Sequence, residues 1–208
     1  MSARFLRLAL AALVLILVGG ACNRPPDNPQ DYAARIAVAR AEKNEQFQKS
    51  SEPIPASKKA EFLPLAYFPI DPEYDVVAAL TLSSDDTKLM MPTSSGQPRQ
   101  VRRLGTLEFT LKGQPIKLES FIEVGAPDIN RITVMFSDMT SGKETYDAGR
   151  YIDLDRTATG LYDLDFNKAY HPYCVYNSSY ECPIPPPENR LKIPVQAGEK
   201  LKSSPRTS

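Results

Sequence analysis

Residues 104–124, LGTLEFTLKGQPIKLESFIEV, constrain this chain more than any other stretch. Leu107, Phe109 and Leu111 fall on alternate positions, and so do Ile116, Leu118 and Ile122. A period of two puts each set on one side of an extended strand, the pattern of a sheet with one buried face. Lys112-Gly113-Gln114-Pro115 supplies a turn between the runs, so the stretch reads as a β-hairpin. A lone hairpin is not stable in water and needs further strands to cover it. The sequence offers VVAALTL (76–82), RITVMF (131–136), and a second hairpin of RYIDLD (150–155) and LYDLDF (161–166) around Thr157–Gly160. LKIPVQA (191–197) reads as a last strand, interrupted by proline and therefore at an edge. Nineteen prolines and no tryptophan fit turns and extended segments better than long helices.

One helix comes first. Asn28 is placed to cap it and Pro29 occupies its first position. Tyr32, Ile36, Ala39, Lys43 and Phe47 recur at helical spacing, and the helix should stop before Pro53, with one more helical turn at Ser57–Glu61. The expected fold is mainly β (α+β): seven or eight short strands in an antiparallel sandwich or partly open barrel, with the N-terminal helix packed on it.

The first residues, MSARFLRLALAALVLILVGGAC, have the layout of an export signal: Arg4 and Arg7, an apolar run from Leu8 to Val18, then Gly19, Gly20 and Ala21 before Cys22. The apolar run is short of the roughly 20 residues that span a bilayer. Ala21-Cys22 resembles the lipobox of bacterial lipoproteins, which implies cleavage after residue 21 and lipidation of Cys22. The expected plan is a signal peptide at 1–21, a proline-rich tether at 22–30, a single β-rich domain at 31–201 and a disordered tail at 202–208. The expected location is the cell envelope, lipid-anchored to the inner or outer membrane and facing the periplasm. Cleavage leaves 23 basic against 25 acidic residues, with no basic footprint for nucleic acid.

Familiar catalytic signatures are missing. The chain has one histidine, His171, and no G-x-S-x-G, C-x-x-C, H-E-x-x-H or G-x-G-x-x-G pattern. TSGKET (140–145) lacks the earlier glycine of a phosphate loop. No cofactor can be named from the sequence.

The densest chemistry lies in DFNKAYHPYCVYNSSYECPIPPPENRL, 165–191. His171, Cys174 and Cys182 offer three metal-ligand types, but their spacing is unlike paired zinc knuckles. Cys174, three residues from His171, could serve as a nucleophilic thiol only in an electropositive, half-exposed setting. The reading preferred here is a staple: Cys174 and Cys182 are a disulfide candidate, and closing so short a loop contributes about 2.5 kcal/mol. The stiff CPIPPP run cannot pair as a central strand and must cover a sheet edge or surface. Phe166, Tyr170, Tyr173, Tyr176 and Tyr180 then cover the core, or wall a ligand cleft.

A second cluster is MFSDMTSGKETYDAGRYIDL, 135–154. Asp138, Thr140 and Gly142 suggest an Asx-type turn, with Arg150 paired to Asp138 or Asp165. The functional alternative is a ligand pocket of Asp138, Glu144, Tyr146, Arg150, Asp165, Asn167 and Tyr170, with Arg150 free for an anion.

Together these clusters, with AEFLPLAYFPIDPEYDVVAAL and VRRLGTLEFTLKGQPIKLESFIE upstream, resemble the DUF1684 family, a domain of unknown function, over roughly Ala33–Leu201. The resemblance implies no established activity. The family's usual asparagine at the position of His171 implies no catalytic or metal role for that histidine. Members without export signals carry both cysteines too, so the resemblance leaves their redox state open. Two readings therefore stand: a membrane-anchored lipoprotein domain binding a small molecule or an envelope protein, or a hydrolytic or cofactor-binding enzyme with a polar pocket formed by 138–151 and 165–191.

Overall fold

The structure is a computed structural model that describes residues 28–125 and 131–202. The signal peptide, Cys22, most of the tether and the end of the tail lie outside the described residues. Helix α1 (Pro29–Lys49) is capped by Asn28, whose side chain accepts from Gln30 N at 3.0 Å, and Pro29 sits in its first turn as expected. Pro29 and Gln30, at the end of the segment expected as tether, are helical.

Tyr32, Ile36 and Phe47 of α1 are buried. Ala39, expected on the same stripe, is exposed. The middle of the stripe is polar instead. Arg40 lies over the Tyr67 ring and donates to Phe68 O (3.0 Å) and Asn167 O (3.2 Å), and Asn44 Oδ1 accepts from Leu65 N (2.7 Å). These side chains satisfy loop backbone that a purely apolar stripe would leave without partners. A one-turn helix, α2 (Lys59–Phe62), follows a 3₁₀ turn at Ala56–Lys58.

The strands are β1 (Ala66–Tyr67), β2 (Asp75–Leu82), β3 (Lys88–Met91), β4 (Arg99–Leu111), β5 (Gln114–Glu123), β6 (Arg131–Phe136), β7 (Arg150–Asp155), β8 (Leu161–Asp165) and β9 (Glu199–Lys200). β1 and β9 pair with each other. The rest form one antiparallel sheet in the order β7-β6-β5-β4-β2-β8, with β3 on the free part of β4. The sheet curls into a nearly closed barrel, so the expectation of a mainly β fold with an N-terminal helix is met. Lys112 and Gly113 turn the β4–β5 hairpin with φ of +49° and +76°, the backbone a two-residue loop needs. A bulge between Arg103 and Gly105 bends β4. A Cβ at Gly105 would come 2.2 Å from Thr81 O, so no larger residue fits there.

Two expectations are corrected. β7 and β8 do not form a hairpin: they are the two ends of the sheet, β7 pairing with β6 and β8 with β2. The seam beside β7 is taken by Tyr170, which exchanges both backbone hydrogen bonds with Tyr151 at 2.9 Å. Second, 191–197 forms no strand: its first residues bond the backbone at Ser137 and Met139, and from Val195 onward its carbonyls turn to the Arg150 side chain. The strands also carry buried apolar side chains on their outer face. The barrel core holds Leu107, Leu111, Leu118, Val134, Phe136 and Leu164. A separate cluster on the outer face buries Met91, Val101, Phe121, Met135 and Tyr151 beneath the strip that contains Cys182.

Candidate functional site

The outer-face cluster floors a groove of about 470 Å³. Its floor is the outward side chains of four successive strands: Val101 of β4, Phe121 of β5, Thr133 and Met135 of β6, Tyr151 and Asp153 of β7. Its opposite wall is the cysteine- and proline-bearing strip, through Tyr170, Tyr173, Tyr180, Cys182 and Pro183. The strip is held at several points. Tyr151 donates its hydroxyl to Pro183 O, Thr93 forms a bridge with Pro183, and Ser94 N donates to Cys182 O (2.9 Å). Two edge-on ring pairs, Tyr151–Tyr170 (5.9 Å) and Tyr173–Tyr180 (5.3 Å), stiffen the wall.

The charged side chains that line the groove are largely paired with one another. Arg99 pairs with Glu123 (3.2 Å) and Arg131 with Asp153 (3.7 Å). Asp153 also accepts from Thr133 Oγ1 (2.8 Å) and Tyr170 OH (3.0 Å). Burial raises the Tyr151 and Tyr170 phenols, so both stay protonated donors. The cavity thus combines an apolar and aromatic floor with a few fixed polar groups.

α1 ties this site to the far end of the domain. In its first turn Tyr32 OH donates to Asp165 Oδ1 (2.8 Å); in its last turn the Phe47 ring meets Tyr173 edge-on at 6.3 Å. Its 21 residues span about 31 Å, so the groove lies at the opposite end of the helix from the chain's entry.

The seven residues expected to form a pocket do not converge. Arg150 and Asp138 form an ion pair of 2.9 Å, with side chains 0% and 1% exposed. Arg150 also donates through Nη1 and Nη2 to an extended backbone, reaching Val195 O (2.7 Å), Glu199 O (3.1 Å) and Ala197 O, while its buried Nε has no partner among the described residues. Carbonyls at 195, 197 and 199 point to one side of an extended segment, so the guanidinium stands where a neighbouring strand would be. Asp138 Oδ1 accepts from Thr140 N (2.7 Å) and Val195 N (3.2 Å), the Asx turn foreseen from sequence. Burial lowers the Arg150 pKa and Asp138 opposes that shift.

Asp165 and Asn167 belong to another cluster. Asp165 accepts from Tyr32 OH and from Asn167 N (2.9 Å); the Asn167 amide donates to Tyr32 Oη (2.9 Å) and Asp71 O (2.8 Å) and accepts from Asp71 N (3.1 Å). Glu144 is exposed and contributes its backbone carbonyl to Leu201 N (2.8 Å). Tyr146 N donates to His171 Nε2 at 3.3 Å. Of the seven, Tyr170 lines the groove.

A second cavity, of about 530 Å³, is lined by His171, Tyr176 and Glu199 together with Phe62, Leu65 and Lys202, among others. Glu199 is 1% exposed and satisfied on every side: Lys43 Nζ at 2.7 Å, His171 N at 2.8 Å and Tyr176 OH at 2.9 Å. His171 Nδ1 faces the same carboxylate at 3.8 Å. Burial pushes the imidazole down to about 4, so it is neutral at physiological pH. Among the described residues no three His, Cys, Asp or Glu side chains converge in a way that could hold a metal ion.

Two residues that matter were not singled out from sequence. Glu199 is one. The other is Asn189, fully buried, whose amide accepts from Glu119 N (2.7 Å) and donates to Glu119 O (2.8 Å) and Met135 O (2.7 Å). β5 and β6 share one backbone register pair, Phe121–Thr133, and Asn189 fills the gap between them. The signal was present: a lone asparagine after CPIPPPE, in a segment unable to pair through its prolines.

This is a small β-rich domain in which a nearly closed barrel carries a proline-stiffened strip over its outer face. The chain belongs to the family described as protein of unknown function DUF1684, whose profile matches residues 60–200. An uncharacterized protein of Haloarcula marismortui, solved in solution by NMR, is 34% identical with a TM-score of 0.64, covering 82% of this chain and 95% of that one. No curated protein matches the chain.

Proposed function

We propose that this protein is a lipid-anchored binding domain of the bacterial cell envelope that holds a small amphipathic ligand in the groove. The observation that carries the reading is the groove's construction: about 470 Å³, an apolar and tyrosine-rich lining, and charged side chains paired with one another as Arg99–Glu123 and Arg131–Asp153. Small-molecule sites of about 300–1,000 Å³ share this plan of apolar walls with few polar groups. Anchoring rests on the Ala21-Cys22 signal, with the acylated cysteine facing the periplasm. From Cys22 to Asn28 the chain reaches roughly 20 Å when extended. The anchor thus enters at the Tyr32 end of α1, and the groove lies by the Phe47 end.

An enzyme is the second reading, favoured by His171, Tyr176 and Glu199 lining one cavity. It gains little from their bonding. His171 Nε2 is engaged by Tyr146 N–H and Nδ1 faces Glu199, which leaves no imidazole nitrogen for a substrate proton.

The test is native mass spectrometry of the full-length protein extracted in mild detergent. The binding reading expects a bound small molecule, released by denaturation, and an acylated amino-terminal peptide beginning at Cys22. Protein free of any adduct that also takes up no apolar fluorescent probe would overturn the binding reading. An unprocessed, unacylated amino terminus would overturn the anchor.

A further inference from the structure

We propose that Cys174 and Cys182 are a reversible dithiol–disulfide pair, with Cys174 the thiol that reacts first and Cys182 the one that closes the bond. Both are thiols in the structure, Cys174 half-buried and Cys182 buried. The backbone N–H of Cys174 donates to Cys182 Sγ at 3.3 Å, so the second sulfur already lies against the first residue's main chain. Cys182 is fixed from both sides: its N–H donates to Ser94 Oγ (3.1 Å) and its carbonyl accepts from Ser94 N (2.9 Å). Cys174 sits in a single 3₁₀ turn, Tyr173–Val175, and the intervening residues turn back through Tyr180 N to Asn177 O (3.1 Å). A disulfide needs sulfurs about 2 Å apart on Cα atoms about 4.4–6.8 Å apart. The Cys182 sulfur is held at the Cys174 amide and its thiol is hydrogen-bonded to that of Cys174, so the two side chains already face each other.

The surroundings divide the roles. The Cys182 thiol donates to Cys174, with help from the Ser94 and Tyr146 hydroxyls, and holds the Cys174 thiol down to about 6 against the opposing effect of burial. The same hydrogen bond and burial push Cys182 up. A low-pKa, accessible thiol beside a buried resolving one is the arrangement that thiol–disulfide exchange uses.

The oxidant is a small-molecule disulfide. The Cys174 thiolate attacks one of its sulfurs, the S–S bond breaks, and one thiolate leaves and takes a proton from solvent. The Cys182 thiol then gives up its proton and attacks Cys174 Sγ, expelling the second thiolate, which is protonated in turn. Two protein thiols lose two electrons and two protons, and one disulfide becomes two thiols. A dithiol reductant reverses the sequence. The bond pins residues 174–182, which carry the Tyr180–Cys182 part of the groove wall. The proposal concerns the thiols alone and can be tested with the groove empty.

The experiment exposes full-length, detergent-extracted protein to oxidised glutathione, quenches with acid and alkylation, and digests with trypsin. The peptide Ala169–Arg190 carries both cysteines and separates them from Cys22. Expected is the loss of two hydrogens from that peptide, with no glutathione attached, restored by a dithiol reductant. Cys182→Ser should instead accumulate one glutathione on Cys174, and folded Cys174→Ser should stay unmodified. Wild-type protein that keeps both thiols, under conditions where the denatured chain oxidises, would overturn the proposal whatever the variants do. So would equal glutathione uptake by the two single variants.

Discussion

Arg150 Nη2 lies 2.9 Å from Asp138 Oδ2 in a place that solvent does not reach, and the same guanidinium donates to three carbonyls of one extended segment. An ion pair taken out of water recovers its desolvation only if its other hydrogen-bonding positions are filled. Here backbone fills most of them, so the pair serves as the internal edge on which 195–199 is laid.

Removing one partner should therefore cost far more than a surface pair would. Arg150→Met leaves Asp138 buried without a counter-charge and strips Val195, Ala197 and Glu199 of an acceptor's partner. The expected loss is about 3–5 kcal/mol, read as a lower urea midpoint. Arg150→Met combined with Asp138→Leu should be closer to wild type than Arg150→Met alone. A single variant within 1 kcal/mol of wild type, by the same order-of-magnitude scale, would contradict this account.

Asn189 makes a narrower demand. Asn189→Ala empties three hydrogen-bonding positions between β5 and β6 and should destabilise by about 3 kcal/mol. Asn189→Asp keeps the acceptor for Glu119 N but loses both donors and adds a buried charge, so it should be no better than alanine. Hydrogen exchange should locate the damage, with the Glu119 amide losing protection ahead of the β4–β5 turn end.

His171 predicts an acid limb. Its folded imidazole titrates near 4 and its ordinary value is 6.5, because burial disfavours the charged form. Between those values the unfolded chain binds a proton that the folded chain refuses. The histidine's share of stability is thus intact above pH 6.5 and declines as pH falls toward 4, by roughly 3 kcal/mol in total. His171→Asn cannot take up that proton. The gap between wild-type and variant urea midpoints should shift across this window and be constant above it.

The groove makes a prediction separable from folding. Thr133 projects from β6 into the floor and is only half-buried. Thr133→Trp should fill the groove, reduce co-purified ligand or probe uptake at least about tenfold, equivalent to roughly 1.4 kcal/mol, and leave the unfolding midpoint close to wild type. Undiminished retention would place the ligand elsewhere.

Local periodicity made part of this legible in advance. The β4–β5 hairpin, β6, and the Asn28–Pro29 helix start follow from spacing and turn chemistry alone. Strand partners do not: β7 and β8 each show the right alternation, but choosing β6 and β2 over one another is a long-range matter. The 191–197 run alternates as a strand does, but it is shared between the backbone at Ser137–Met139 and the Arg150 guanidinium. The groove left one readable trace. Phe121, Met135 and Tyr151 are apolar or aromatic on the side of their strands that should meet water, which is how a covered outer face looks in sequence. Asp138 and Arg150 were legible as a pair, but not as a buried one, because nothing local to either says how deep it sits.

The placing of β7 and β8 at opposite rims bears on how this protein is made. β2 finds its second partner only when β8 arrives, about 90 residues later, so until then a long strand edge rich in valine and alanine stands open. Such an edge invites pairing with other chains, and contacts this distant close slowly. The nascent polypeptide should need a holding chaperone until its last third has been synthesised.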